Sequence, residues 1–183
     1  VPDGLSGVVA VRTGSFHSLV LRSDGTVEAW GRNEYGQSDV PDGLSGVVAV
    51  GTGTRHSLAI RSDGTVEAWG YNYFGQSDVP EGLSDVVAVS GGKSHSLALR
   101  SDGTVEAWGA GETNTGDWPN YGQSIVPEGL SDVVAIEAGS VHSMALRSDG
   151  TVEAWGGYED FDYGEADIPE GLSDVVAVSG GNY

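Results

Sequence analysis

The sequence predicts an all-β fold built by using one small sheet several times, and three observations predict it. The ten residues Arg-Ser-Asp-Gly-Thr-Val-Glu-Ala-Trp-Gly occur four times without a change, at 22–31, 61–70, 100–109 and 147–156. A longer unit opening Val-Pro-Asp/Glu-Gly-Leu-Ser starts at Val1, Val40, Val79 and Val126 and again as Ile168-Pro169-Glu170-Gly171, at spacings of 39, 39, 47 and 42 residues. Self-similarity at such a period marks a repeat architecture whose unit is one supersecondary element. No copy carries the 3.6-residue periodicity of a helix, while 30 glycines signal many turns between short strands.

The elements of the first copy follow in order. Residues 7–11, Gly-Val-Val-Ala-Val, are a β-branched run suited to a strand. Residues 14–16 read as a loop and residues 17–21, His-Ser-Leu-Val-Leu, as a second strand. Ser23-Asp24-Gly25 is a tight turn in which Asp-Gly supplies the positive φ of a hairpin. Residues 26–30, Thr-Val-Glu-Ala-Trp, form a third strand, and residues 31–37 a second loop. The stretch 38–41 is at best an edge strand, because Pro41 cannot donate to a ladder. Each copy is thus a meander of three to four strands, apolar on both faces, and stacking such sheets around an axis covers both. That is the β-propeller, whose blades of about 40–45 residues match the period.

One domain is predicted over residues 1–183, with repeats at 1–39, 40–78, 79–125 and 126–167 and the first strand of a fifth at 168–183. No linker or shift of composition separates the copies. The chain opens without Met and its fifth copy stops at Tyr183, which reads as part of a larger ring.

Antiparallel order places the loops after the first and third strands on one face and the Ser-Asp-Gly-Thr turns on the other. The copies disagree on the loop face. Its first loops carry Phe16, Arg55, Lys93 and Val141; its second carry Tyr35, then Tyr71, Tyr73 and Phe74, then Trp118 and Tyr121, then Tyr158, Phe161 and Tyr163. An eight-residue insertion around 112–119 and a three-residue one in the fourth copy fall there too. Aromatic side chains on variable loops are a common means of protein recognition. Tyr35, Phe74, Tyr121 and Tyr163 precede a recurring glycine and compete for a packing role between blades. The candidate partner-binding residues are Phe16, Arg55, Lys93, Tyr71, Tyr73, Trp118, Tyr158 and Phe161.

Composition narrows the function. The formal charge is −19, from 27 acidic and 8 basic side chains, Lys93 being the sole lysine. Binding to duplex nucleic acid relies on Lys and Arg neutralising phosphates, so this balance argues against it, and against anionic membrane surfaces. Absence of cysteine excludes disulfides and thiolate metal sites. No apolar run is long enough to span a bilayer as a helix.

Catalysis is not expected. His17, His56, His95 and His142 are each followed by a serine, Ser18, Ser57, Ser96 and Ser143. Neighbours on a strand point to opposite faces, so such a pair cannot work as nucleophile and base. A histidine repeated four times is expected to make hydrogen bonds between blades; a zinc-binding ring is the alternative. Glu28, Glu67, Glu106 and Glu153 are placed to pair across their hairpins with Arg22, Arg61, Arg100 and Arg147. Glu159, Asp160 and Asp162 form a weak calcium candidate, since their spacing lacks the EF-hand pattern. No cofactor is expected.

The order Val-Val-Ala-Val, Gly, His-Ser-Leu-Ala-Leu, Asp-Gly-Thr-Val-x-Ala-Trp-Gly, Asn and Gly-Gln resembles the regulator-of-chromosome-condensation repeat. Within that superfamily the short period is similar to secreted bacterial β-lactamase inhibitory proteins of the second type. That resemblance implies a seven-bladed propeller that binds a protein through loops on one face. It also implies a secreted or cell-surface, bacterial-type protein. The resulting expectation is a non-catalytic, inhibitor-like binding module. The alternative is a structural protein that assembles through open repeat ends, since unpaired edges invite association.

Overall fold

The computed structural model describes residues 4–157 and 164–181. Four antiparallel three-stranded sheets follow one another: β1 (Val8–Thr13), β2 (His17–Arg22) and β3 (Val27–Gly31); β4 (Val47–Thr52), β5 (His56–Arg61) and β6 (Val66–Gly70); β7 (Val86–Gly91), β8 (His95–Arg100) and β9 (Val105–Gly109); β10 (Val133–Ala138), β11 (His142–Arg147) and β12 (Val152–Gly156). In each the chain order is also the spatial order, a plain meander. The blades are three-stranded. The edge strand anticipated at 38–41 is absent, and Asp39 N there donates back to Gly36 O in a turn.

Residues 168–181 follow the path of a first strand, and Val175 N donates to Gly150 O as Val47 N does to Gly25 O. They form no ladder among the described residues.

The core lies between blades and not within them. Leu19, Leu21 and Val27 of the first blade meet Leu44, Val47, Val50, Ala59 and Trp69 of the second. The same packing recurs between the second and third blades and between the third and fourth. A single blade of this kind cannot bury its own faces, so stability comes from the interfaces. The first strands of all four blades converge on one cavity of about 480 Å³, lined by Val11, Gly51, Val89 and Ile136 among others.

A bulge in each first strand makes this packing possible. Val47 and Val50 lie three residues apart and would face opposite sides of a regular strand. The register slips between Val47 and Ala49, and both valines enter the same core while Val48 is exposed. The slip recurs in β1, β7 and β10.

Candidate functional site

The face of the Ser-Asp-Gly-Thr turns, termed the lower face with the variable loops on the upper, is occupied by structure-bearing contacts. Asp63 Oδ1 accepts from Thr65 N at 3.0 Å and from Thr65 Oγ1 at 2.6 Å, an Asx turn repeated at Asp24, Asp102 and Asp149. These bonds hold all four carboxyls below the usual aspartate range. The turn glycine bonds the next blade: Gly25, Gly64 and Gly103 carbonyls accept from Val47, Val86 and Val133 N–H at 3.1 Å. Arg61 pairs with Glu67 at 2.9 Å, and the equivalent pairs join Arg22 to Glu28, Arg100 to Glu106 and Arg147 to Glu153. These are the cross-hairpin pairs anticipated from the sequence.

The histidines are buried between blades. His17 Nε2 lies 2.9 Å from Ser57 Oγ, and Ser57 Oγ donates to the Gln37 carbonyl at 2.8 Å. The serine proton is therefore committed, and the histidine must carry its proton on Nε2. Trp69 stands directly opposite Ser57 in the ladder and donates its indole N–H to the same carbonyl at 3.1 Å. His56, Ser96, Gln76 and Trp108 repeat the arrangement, as do His95, Ser143, Gln123 and Trp155. Burial pushes the imidazoles of His56 and His95 down to about 3, and lowers those of His17 and His142 as well.

His17, His56 and His95 thus hydrogen-bond between blades, as expected for a repeated histidine, each to the serine of the following copy. The contact is not a nucleophile–base pair, because the proton runs from histidine to serine to carbonyl in a site closed to solvent. Nor does it leave Nε2 to bind a metal. Gln37, Gln76 and Gln123, each buried, were legible only as part of the recurring Gly-Gln.

The upper face carries the copy-specific side chains. Backbone bonds join its two loops in each blade: Tyr71 N donates to Arg55 O at 2.9 Å, and Arg32 N to Phe16 O at 2.8 Å. Asn72 accepts from Ser77 N and donates to Asp78, while Gln76 Oε1 accepts from Phe74 N, so the second loop is fixed from within. Asn33, Ser38, Asp39 and Gln37 do the same one repeat earlier.

On these loops the aromatic rings form one continuous ladder. Tyr35 meets Tyr71 edge-on at 4.7 Å; Tyr71 lies 6.4 Å from Tyr73 and 6.3 Å from Phe74. Tyr73 and Phe74 are 4.9 Å apart, and Phe74 reaches Trp118 of the inserted loop at 4.9 Å. Tyr73 is 79% exposed and Trp118 51%. Three cations lie on ring faces: Arg32 over Phe16 at 5.2 Å, Arg55 over Tyr35 at 5.4 Å and Tyr71 at 5.8 Å, and Lys93 over Trp118 at 5.9 Å. Phe16, Arg55, Lys93, Tyr71, Tyr73 and Trp118 thus share one face. Phe16 and Arg32 form a separate pair beside the ladder.

The rings before the recurring glycine divide. Tyr121 is buried, Phe74 half-buried, and Tyr35 39% exposed and within the ladder. Tyr158, Phe161 and Tyr163, and the calcium candidates Glu159, Asp160 and Asp162, lie outside the described residues. No cluster of three or more metal-ligating side chains occurs among the described residues.

A profile of the regulator of chromosome condensation (RCC1) repeat matches residues 8–37, 47–76 and 86–123, together more than half of the chain. No curated protein sequence matches. Among solved structures, human WBSCR16 is similar over all of this chain and 57% of its own, at 26% identity and a TM-score of 0.75. Prp20p of Saccharomyces cerevisiae, described with its binding to Gsp1p and histones, is similar over 96% of this chain and 54% of its own (22% identity, TM-score 0.70). The CRINKLY WD40 ectodomain of the Arabidopsis thaliana receptor kinase ACR4 is similar over 100% and 62% (19% identity, TM-score 0.71). The chain spans little more than half the length of the first two. These likenesses support a propeller fold.

Proposed function

The chain belongs to the RCC1 repeat family, and from that premise we propose that it is a non-catalytic module that binds a protein partner through its upper loops. One observation carries the reading: the aromatic ladder runs unbroken over the first three blades, on the face where the copies differ. Rings that are large, rigid and held by fixed loops lose little freedom on binding. The lower face offers no such freedom, because its side chains already bond their own turns or the next blade.

Within this reading the partner is an enzyme bound in the manner of an inhibitor, or a cell-surface protein, and the setting is secreted and bacterial. The resemblance to the β-lactamase inhibitory proteins supports that finer part. Nucleic acid is not the target, as half of the eight cations are engaged with glutamates across hairpins.

Photo-crosslinking tests the surface. Benzoylphenylalanine at Tyr73 or Trp118 should capture a protein from culture medium or cell-surface extract of the source organism, whereas the same group at Thr65 or Asp102 should not. Equal capture from both faces would contradict the assignment.

A further inference from the structure

We propose that the upper face takes a carboxylate of its protein partner on the guanidinium of Arg55. This rests on the protein-binding reading above and names the chemistry of the contact.

The first support is the disposition of positive charge. Arg22, Arg61, Arg100 and Arg147 each hold a glutamate across a hairpin, and Arg32 holds Glu34 at 2.6 Å. Arg55 makes no ion pair among the described residues, and its Nε is buried without a hydrogen-bond partner. Of the seven arginines, Arg12 and Arg55 alone make no ion pair among the described residues, and Arg12 spends a guanidinium N–H on the carbonyl of Val11. Glu34 feels the charge of Arg55, but its carboxylate is bonded to Arg32.

The second support is orientation. Arg55 lies across two ladder rings, Tyr35 and Tyr71, and its own carbonyl accepts from Tyr71 N. A flexible cation is thereby held in one place before any partner arrives, which lowers the entropic cost of using it. A planar guanidinium presents paired donors that match a carboxylate.

The third support is position. Phe16, Ser94 and Val141 occupy this place in the other copies, so the scaffold does not require arginine there. Tyr73 and Trp118, further along the ladder, supply apolar area for the groups flanking the carboxylate.

The test uses the 183-residue chain and a library of disulfide-cyclised peptides displayed on phage. Selected peptides should carry Asp or Glu beside an apolar residue. Their synthetic Asn or Gln analogues should bind at least about tenfold more weakly, as expected when one member of a charge pair is removed. Arg55→Gln should abolish that ratio, and Arg55→Lys should retain part of it; thermal melts check that both variants fold. Acidic and amide peptides binding alike, or a ratio unchanged in Arg55→Gln, would overturn the proposal. A phosphoserine analogue that binds tighter than the carboxylate through Arg55 would overturn it too. These outcomes leave the ladder reading intact. By contrast, binders indifferent to both Tyr73→Ala and Trp118→Ala, or no enriched binder, would sink the ladder reading and this inference with it.

Discussion

At the scale of single residues, the scaffold depends on a shared carbonyl. Gln37 O accepts both the hydroxyl of Ser57 and the indole of Trp69, and Ser57 accepts from His17. Ser57→Ala therefore strands a buried histidine N–H, at a cost of about 1–3 kcal/mol, which denaturant titration can read. The same histidines set an acid limit. Their pKa in the fold is depressed, to about 3 for His56 and His95, while the unfolded chain protonates them near the ordinary 6.5. The unfolded state then binds more protons between those values, so stability is full above pH 6.5 and falls as pH drops. The slope approaches about 1.4 kcal/mol per pH unit for each buried histidine. Glu137, raised by its burial, works weakly in the other sense, and the turn aspartates matter only at lower pH. A guanidinium midpoint that does not move between pH 7 and pH 5 would contradict histidines buried in neutral form. The sequence disclosed that a fourfold histidine is structural. It did not disclose the acceptor, because the partner serine lies 40 residues away.

At the scale of the element, strands and turns were legible because the repeat displayed them four times. Asp-Gly marked each hairpin, and the strand ends lie within about two residues of their predicted positions. The bulge was not legible. Val-Val-Ala-Val reads as a strand apolar on both faces, yet the slip at Val48 sends Val47 and Val50 to one core and leaves Val48 in solvent. The glycine three residues before each histidine packs directly against that ring, a demand that the loop sequence does not display. A Cβ on Gly53 would overlap the His56 ring and crowd the Gly92 carbonyl. Gly53→Ala should thus destabilise by about 3 kcal/mol through overpacking. Asp63→Ala, which removes only the exposed turn bonds to Thr65, should destabilise less. Similar melting temperatures for the two variants would refute that ranking.

At the scale of the whole molecule, the two faces differ in what remains uncommitted. The invariant decapeptide is consumed by the hairpin, the arginine–glutamate pair and the bonds to adjacent blades. The ladder is where side chains stay available, and its continuity was not legible, since Tyr35, Tyr71, Phe74 and Trp118 come from three different loops. What the sequence did show was that these loops share a face. The charge distribution adds a negative expectation: fluorescence anisotropy with duplex DNA at physiological salt should detect no binding, because few cations are uncommitted.

The most direct test of the division between faces measures affinity and stability together, on the partner captured by crosslinking. Tyr73→Ala and Trp118→Ala should each cost about 2 kcal/mol or more of binding with the melting temperature nearly unchanged. Asp63→Ala and Ser57→Ala should lower the melting temperature and leave the affinity of the folded protein intact. Equal losses of affinity from both sets, or full affinity after both ladder substitutions, would contradict the account.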